Sequence, residues 1–204
     1  MKKVIFKTKN SIKNQKKLYL LLIGLAILSF IFGILFIFIL SDESSTYIFN
    51  GIKDFFNNIS EYSGISSFFN SFVNNSVYVL VVWILGISII GIPIILFIYI
   101  FKFFLFGFSL SSIIYTYKLG GILRSLIHLF PHQLVFLLVL LLVSFYGISF
   151  SIKLYKYLFF KKIINFKEYM NKYLKVLLYS LVVCVFISLY EAFISTYLLN
   201  LFNK

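Results

Sequence analysis

The class of this protein is set by residues 18–40, which read LYLLLIGLAILSFIFGILFIFIL. The stretch carries no charge, and as a helix rising about 1.5 Å per residue it extends for roughly 34 Å. That is enough to cross a hydrocarbon core of about 30 Å. The run is longer than the apolar region of a signal peptide, and no small-residue cleavage site precedes Asp42. We therefore expect a retained membrane anchor.

The composition of the whole chain agrees with this assignment. Of its 204 residues, 61% are hydrophobic and only 12% are charged, whereas a soluble domain is about half apolar and about a quarter charged. An ordinary soluble enzyme is therefore excluded, and we predict an all-α fold, a polytopic membrane helix bundle. Four further apolar runs supply the other spans, at residues 77–101, 103–117, 134–152 and 176–199.

The second and third predicted spans are less regular than the others. The second, residues 77–101, contains glycines and Pro93, and because proline lacks a backbone N–H we predict a kink within one helix. The third, residues 103–117, is short and bracketed by Lys102 and Lys118. We expect these two lysines to mark its ends by reaching the membrane surfaces.

The distribution of charge predicts the orientation. The formal net charge is +13, and lysines are concentrated in residues 1–17 and 153–175, whereas the loop 41–76 is acidic. Because cytoplasmic segments of membrane proteins are enriched in Lys and Arg, we place both basic segments inside and the loop 41–76 outside. The odd number of crossings between them gives five spans, a second outer loop at 118–133 and an extracytoplasmic C-terminus.

The first outer loop contains an amphipathic pattern. Its apolar side chains recur on one face at helical spacing, with polar side chains on the other, and the candidate partner-docking residues are Ile52, Phe55, Phe56 and Ile59. Two interpretations remain open for this helix. It lies on its own membrane or bundle, or it offers a docking surface to an extracytoplasmic partner.

The second basic segment, residues 153–175, shows the same helical alternation of apolar and basic residues. This pattern is typical of an interfacial helix that binds anionic lipid headgroups. Membrane lipids are therefore expected partners, and nucleic acid is not.

The chain offers little chemistry for catalysis or cofactor binding. It has no phosphate-binding glycine loop and no nucleophile motif. Cys184 is the single cysteine, and His128 and His132 are separated by Pro131, which makes a helical metal pair doubtful. We therefore predict no enzyme, no catalytic residue, no cofactor and no metal.

Glu191 is the one carboxylate inside a predicted span. An unpaired carboxylate in a membrane is costly, so we expect Glu191 to face the bundle and to find a donor, be protonated or meet water, with Arg124, Lys118 and His132 as the possible partners. A structural role and a functional role both remain open for it.

Pairs of small residues four apart also indicate close helix contacts, and they are Ser29 with Gly33, Gly107 with Ser111, and Gly147 with Ser151.

Several short stretches resemble one family. Residues 83–94, WILGISIIGIPI, include Trp83 and Pro93 and resemble the corresponding stretch of stage II sporulation protein M. Further similarities cover the chain from about residue 76 to its end, and they are Lys102, Gly107-Phe108, Phe130-Pro131-His132, Phe150 to Lys153, and Glu191 to Ser195.

The resemblance implies a function that the residues alone do not. It implies a scaffold in the mother-cell membrane at the sporulation septum, active in forespore engulfment. Its implied partners are stage II sporulation proteins D and P, which cut septal peptidoglycan. The alternative hypothesis is a transporter or channel subunit that uses Glu191 and the interrupted second span.

Overall fold

The computed structural model describes residues 2–58, 64–160 and 166–202, and every regular element in these ranges is helical. The helices are α1 (Lys2–Phe36), α2 (Asp42–Asn57), α3 (Ile65–Gly86), α4 (Gly91–Tyr117), α5 (Leu119–Arg124), α6 (Phe130–Phe160), α7 (Phe166–Leu189) and α8 (Thr196–Phe202). The irregular segments are a 3₁₀ turn at Ile37–Ile39 and π-helical segments at Ser125–Leu129 and Tyr190–Ser195. The all-α prediction is confirmed.

Five stretches of the described chain are long and apolar enough to cross a membrane, as predicted. They are Gln15–Ile39, Ile65–Gly86, Gly91–Tyr117, Leu119–Phe159 and Lys167–Leu199. The fourth lies at the centre of the bundle. Of its most apolar 18 residues, 67% are buried in the protein, whereas the corresponding share is 17–28% in the other four stretches. Helices α1, α3, α4 and α7 pack around α6.

The predicted bounds of the second and third spans are wrong. The stretch 77–101 is not one kinked helix, because α3 ends at Gly86 and α4 begins at Gly91. Residues 103–117 are the second half of α4. Pro93 is the third residue of α4, where a backbone N–H has no partner within the helix. The proline is therefore accommodated at a helix start instead of kinking a helix interior.

The turn at residues 87–90 is held by a side chain from the central helix. The hydroxyl of Ser151 donates to the carbonyl of Gly86 at 2.6 Å and to that of Ser88 at 3.0 Å. The Gly86 carbonyl belongs to the last residue of α3, where the helical hydrogen bonds end, whereas the Ser88 carbonyl also accepts from the backbone N–H of Gly91 at 3.2 Å. Ser151 therefore supplies a donor for a carbonyl at a helix end, that of Gly86.

Lys102 does not mark a helix end, contrary to the prediction, since it lies in the interior of α4. Its ammonium group is 3.4 Å from the ring centre of Tyr78 and 5.6 Å from that of Phe136. Aromatic faces attract a cation, so these rings partly replace the hydration that the lysine loses.

Three other predicted segments have different bounds. The loop 41–76 does contain the predicted helix, α2, but its last part already belongs to α3. The outer loop 118–133 is helical, and the basic segment 153–175 is shared between the ends of α6 and α7, with residues 161–165 outside the described part. Backbone groups at membrane depth must be hydrogen-bonded within the chain, which favours helices that continue past the apolar runs.

The predicted close contact between small residues is confirmed where α1 crosses α4. A Cβ atom added at Gly33 would lie 2.1 Å from the backbone oxygen of Phe104, and one added at Gly107 would lie 2.2 Å from that of Phe30. The two backbones therefore touch at a distance that only glycine permits.

Candidate functional site

Helix α2 packs its apolar face onto one end of the bundle. Phe56 is 2% exposed and forms a small core with Ile113 and Leu199. Phe55 and Ile52 are half-buried against the same core. A buried Phe56 is no free anchor for a partner, so of the predicted docking residues only Ile52 and Phe55 keep part of their surface. Ile59 lies outside the described residues.

Beneath α2, aromatic rings surround His128. The ring centres of Phe55 and Phe56 lie 5.2 and 6.1 Å from that of His128. The Nδ1 atom of His128 is 2.7 Å from the hydroxyl of Ser195. His132 follows at a ring distance of 5.5 Å and is 7% exposed, and its Nδ1 has no hydrogen-bond partner in the described part of the chain.

The two π-helical segments meet at this site, and a proline explains one of their contacts. Pro131 has no N–H, so it cannot donate to the carbonyl of Ile127 four residues earlier. The hydroxyl of Tyr190 donates to that carbonyl instead, at 2.9 Å. This bond ties the segment Ser125–Leu129 to the segment Tyr190–Ser195. Single π-helical turns are frequent at functional sites.

Glu191 is half-buried and faces the bundle, as predicted, but its hydrogen-bond donor is not one of the expected residues. The hydroxyl of Ser71 in α3 donates to the Glu191 carboxylate. The side-chain amide of Asn75 in turn donates to Ser71 at 3.3 Å. The guanidinium of Arg124 lies over the ring of Tyr117, at 4.1 Å.

A polar cavity of about 240 Å³ lies between α3 and the chain around Glu191. Its lining residues are Phe55, Ser67, Asn70, Ser71, Asn74, His128, Glu191, Ala192 and Thr196. The polar residues of α3 stand three or four positions apart, on one helix face. This spacing is present in the sequence, but the prediction of a loop at residues 41–76 gives these side chains no common face.

A family comparison covers most of this structure. The family model for stage II sporulation protein M matches residues 23–196. The chain belongs to the stage II sporulation protein M family. No curated protein and no solved structure gives a significant match. The match therefore extends the resemblance from about residue 76 back to residue 23, within the first span, and includes α2.

Membership of the stage II sporulation protein M family identifies a multi-pass membrane protein of sporulation. The family is not known as a family of enzymes. The matched range includes Ser71, His128, His132 and Glu191. Among the described residues, no group of three or more His, Cys, Asp or Glu side chains is arranged to hold a metal ion.

In this member of the stage II sporulation protein M family, the intramembrane candidate residues predicted from the sequence lie at two separate places. Glu191 and His132 lie at the α2 end of the bundle, whereas Trp83 and Pro93 flank the turn 87–90. Trp83 stacks on Tyr173 at a ring distance of 5.2 Å. Its Nε1 donates to the Tyr173 carbonyl at 3.3 Å, and the Tyr173 hydroxyl donates back to the Trp83 carbonyl at 2.7 Å. This reciprocal pair joins α3 to α7.

Proposed function

We propose that this chain is a non-enzymatic scaffold of the sporulation septum. It sits in the mother-cell membrane with its N-terminus in the cytoplasm, and during engulfment it holds stage II sporulation proteins D and P, which cut peptidoglycan. Membership of the sporulation family supports the setting. The observation that carries the scaffold role is the position of α2, which covers the predicted outer end of the bundle and is anchored there by buried Phe56.

A helix fixed in this way exposes its opposite face, which includes Tyr47, Asn50 and Asp54 and which we call the platform. Tyr47 is 82% exposed, and Asn50 and Asp54 are exposed on the same side of α2. Burial of an aromatic side chain such as Tyr47 at the centre of an interface is a frequent source of binding free energy. We therefore place the partner contact on this face and on the half-exposed side of Phe55.

The transporter hypothesis is not favoured. It relied on a break inside the second span, and the interruption at residues 87–90 is a turn between two helices. A turn that joins two spans leaves no unwound backbone at mid-membrane to coordinate a solute.

Affinity capture of the full chain from sporulating cells tests the proposal. The tagged wild-type protein should recover stage II sporulation proteins D and P. Phe56→Ser should release them, because it removes the apolar side chain that seats α2. Phe97→Ser is the matched control, since Phe97 is 67% exposed on the lipid-facing side, and it should leave recovery unchanged. A wild-type protein that recovers no peptidoglycan hydrolase contradicts the proposal.

A further inference from the structure

We propose that the polar cavity beside Glu191 is a receptor for a cationic side chain, Lys or Arg, of the extracytoplasmic partner. The inference rests on the proposed function, because it assumes that a partner docks at the α2 end of the bundle. It specifies which chemical group of that partner is recognised.

The charge of the cavity points to a cation. Its lining contains one carboxylate, Glu191, and neither Lys nor Arg. A carboxylate accepts about four hydrogen bonds, and in the described part of the chain the Ser71 hydroxyl is the donor to it. The rest of the polar lining consists of amides, hydroxyls and an imidazole. Such a set of acceptor atoms around one carboxyl group complements an ammonium or guanidinium group.

The size and position of the cavity suit a side chain that enters from a partner. Its volume of about 240 Å³ far exceeds the roughly 10–15 Å³ that one water molecule needs. Asn70 and Asn74 line it and are exposed, so they form an accessible rim. Phe55 of α2 forms another wall, which places the cavity next to the proposed platform.

A second cavity adjoins the first and explains why the occupant is a protein segment. It measures about 330 Å³, and its lining is mainly apolar, with Ile48, Ile52 and Ile113 among the contributors. Phe55 and His128 line both cavities. A partner segment that carries an apolar residue near a Lys or Arg can fill both at once, whereas a free cation fills only one.

The histidine next to His128 carries a buried polar atom without a partner in the described residues. His132 is 7% exposed and its Nδ1 has no hydrogen-bond partner in the described residues. Buried polar groups are nearly always hydrogen-bonded, and exceptions call for an explanation. The His132 ring lies 5.5 Å from that of His128, which lines the cavity, so an occupant that moves the His128 ring would also change the surroundings of this nitrogen.

Photo-crosslinking in sporulating cells tests this inference. A photoreactive amino acid at position 70 of the full chain should crosslink to an extracytoplasmic protein, and the mapped peptide should contain Lys or Arg next to an apolar residue. Glu191→Gln should reduce the yield at least about tenfold, because the amide still accepts from Ser71 but carries no charge. Glu168→Gln is the matched control, since Glu168 is exposed at the start of α7 and does not line the cavity, and it should keep the wild-type yield.

A second variant tests the same cavity by a substitution at its exposed rim, where the side chain is not part of the buried core. Asn74→Lys adds a cation of the chain's own at the exposed rim and should also abolish the crosslink. Crosslinking to a lipid amine, to a peptide without Lys or Arg, or with equal yield in Glu191→Gln would overturn the inference. Those outcomes leave the scaffold function standing if affinity capture still recovers the hydrolases. The scaffold fails separately if the wild-type chain captures none.

Discussion

The crossing of α1 and α4 gives a quantitative prediction for Gly33→Ala. The new Cβ would lie 2.1 Å from the backbone oxygen of Phe104 and 2.9 Å from the backbone nitrogen of Phe108. Non-bonded heavy atoms pack best at about 3.5–4.0 Å, so the two helices must separate by roughly 1–2 Å. Backbone atoms cannot move aside as a side chain can. Overpacking of this kind costs about 1–3 kcal/mol.

Gly24→Ala is the matched control, because Gly24 lies in the same helix and a Cβ there meets nothing within 4 Å. Both substitutions change helix propensity equally, so the difference between them isolates the contact with α4. Unfolding in detergent titrations can be followed by the fluorescence of Trp83, the single tryptophan. Gly33→Ala should be less stable than Gly24→Ala by about 1–3 kcal/mol, which is about 5–150-fold in the equilibrium constant. Equal stability of the two variants would refute the packing argument.

Two further predictions concern the topology and the π-helical site. In vesicles, a membrane-impermeant thiol reagent should label Ser88→Cys only from the cytoplasmic side and Asn50→Cys only from the outside, since an odd number of spans separates them; labelling from one common side would contradict the five-span order. Tyr190→Phe should lower the free energy of unfolding by about 1–3 kcal/mol, because it leaves the carbonyl of Ile127 unsatisfied. Tyr197→Phe, a change at a 65% exposed position, should have little effect in the same titration, and equal losses would rule out this role of Tyr190.

The number of spans could be predicted from sequence because it depends on composition along the chain. The bounds of the spans could not, since residues 77–101 are uncharged whether they form one kinked helix or two helices with a turn. The group that stabilises the turn is Ser151, which lies 65 residues from the Gly86 carbonyl it binds. A hydropathy profile gives no information about that long-range hydrogen bond. Gly33 and Gly107 were predictable as contact residues, because their spacing is local even though their partners are not.

The polar site shows the same limit more strongly. Glu191 could be identified from sequence as a costly intramembrane carboxylate, and the expected partners were the charged and imidazole groups predicted nearby. The actual donor is the hydroxyl of Ser71, 120 residues away in sequence. The sequence-based prediction places Ser71 in a loop, and a loop has no defined face. An error in one helix boundary therefore concealed half of the site.

The irregular helices at this site are best explained by function. A π-helical segment departs from the favoured hydrogen-bond pattern, and such segments are rare; here two of them meet and carry His128 and Glu191. Pro131 removes a donor that Tyr190 has to replace, and His132 keeps a buried nitrogen without a partner in the described residues. A regular α-helix with an apolar residue at each position would satisfy this backbone more simply. Local departures of this kind persist where the side chains they position have a task, and the task that we propose here is recognition of a partner at the α2 end of the bundle.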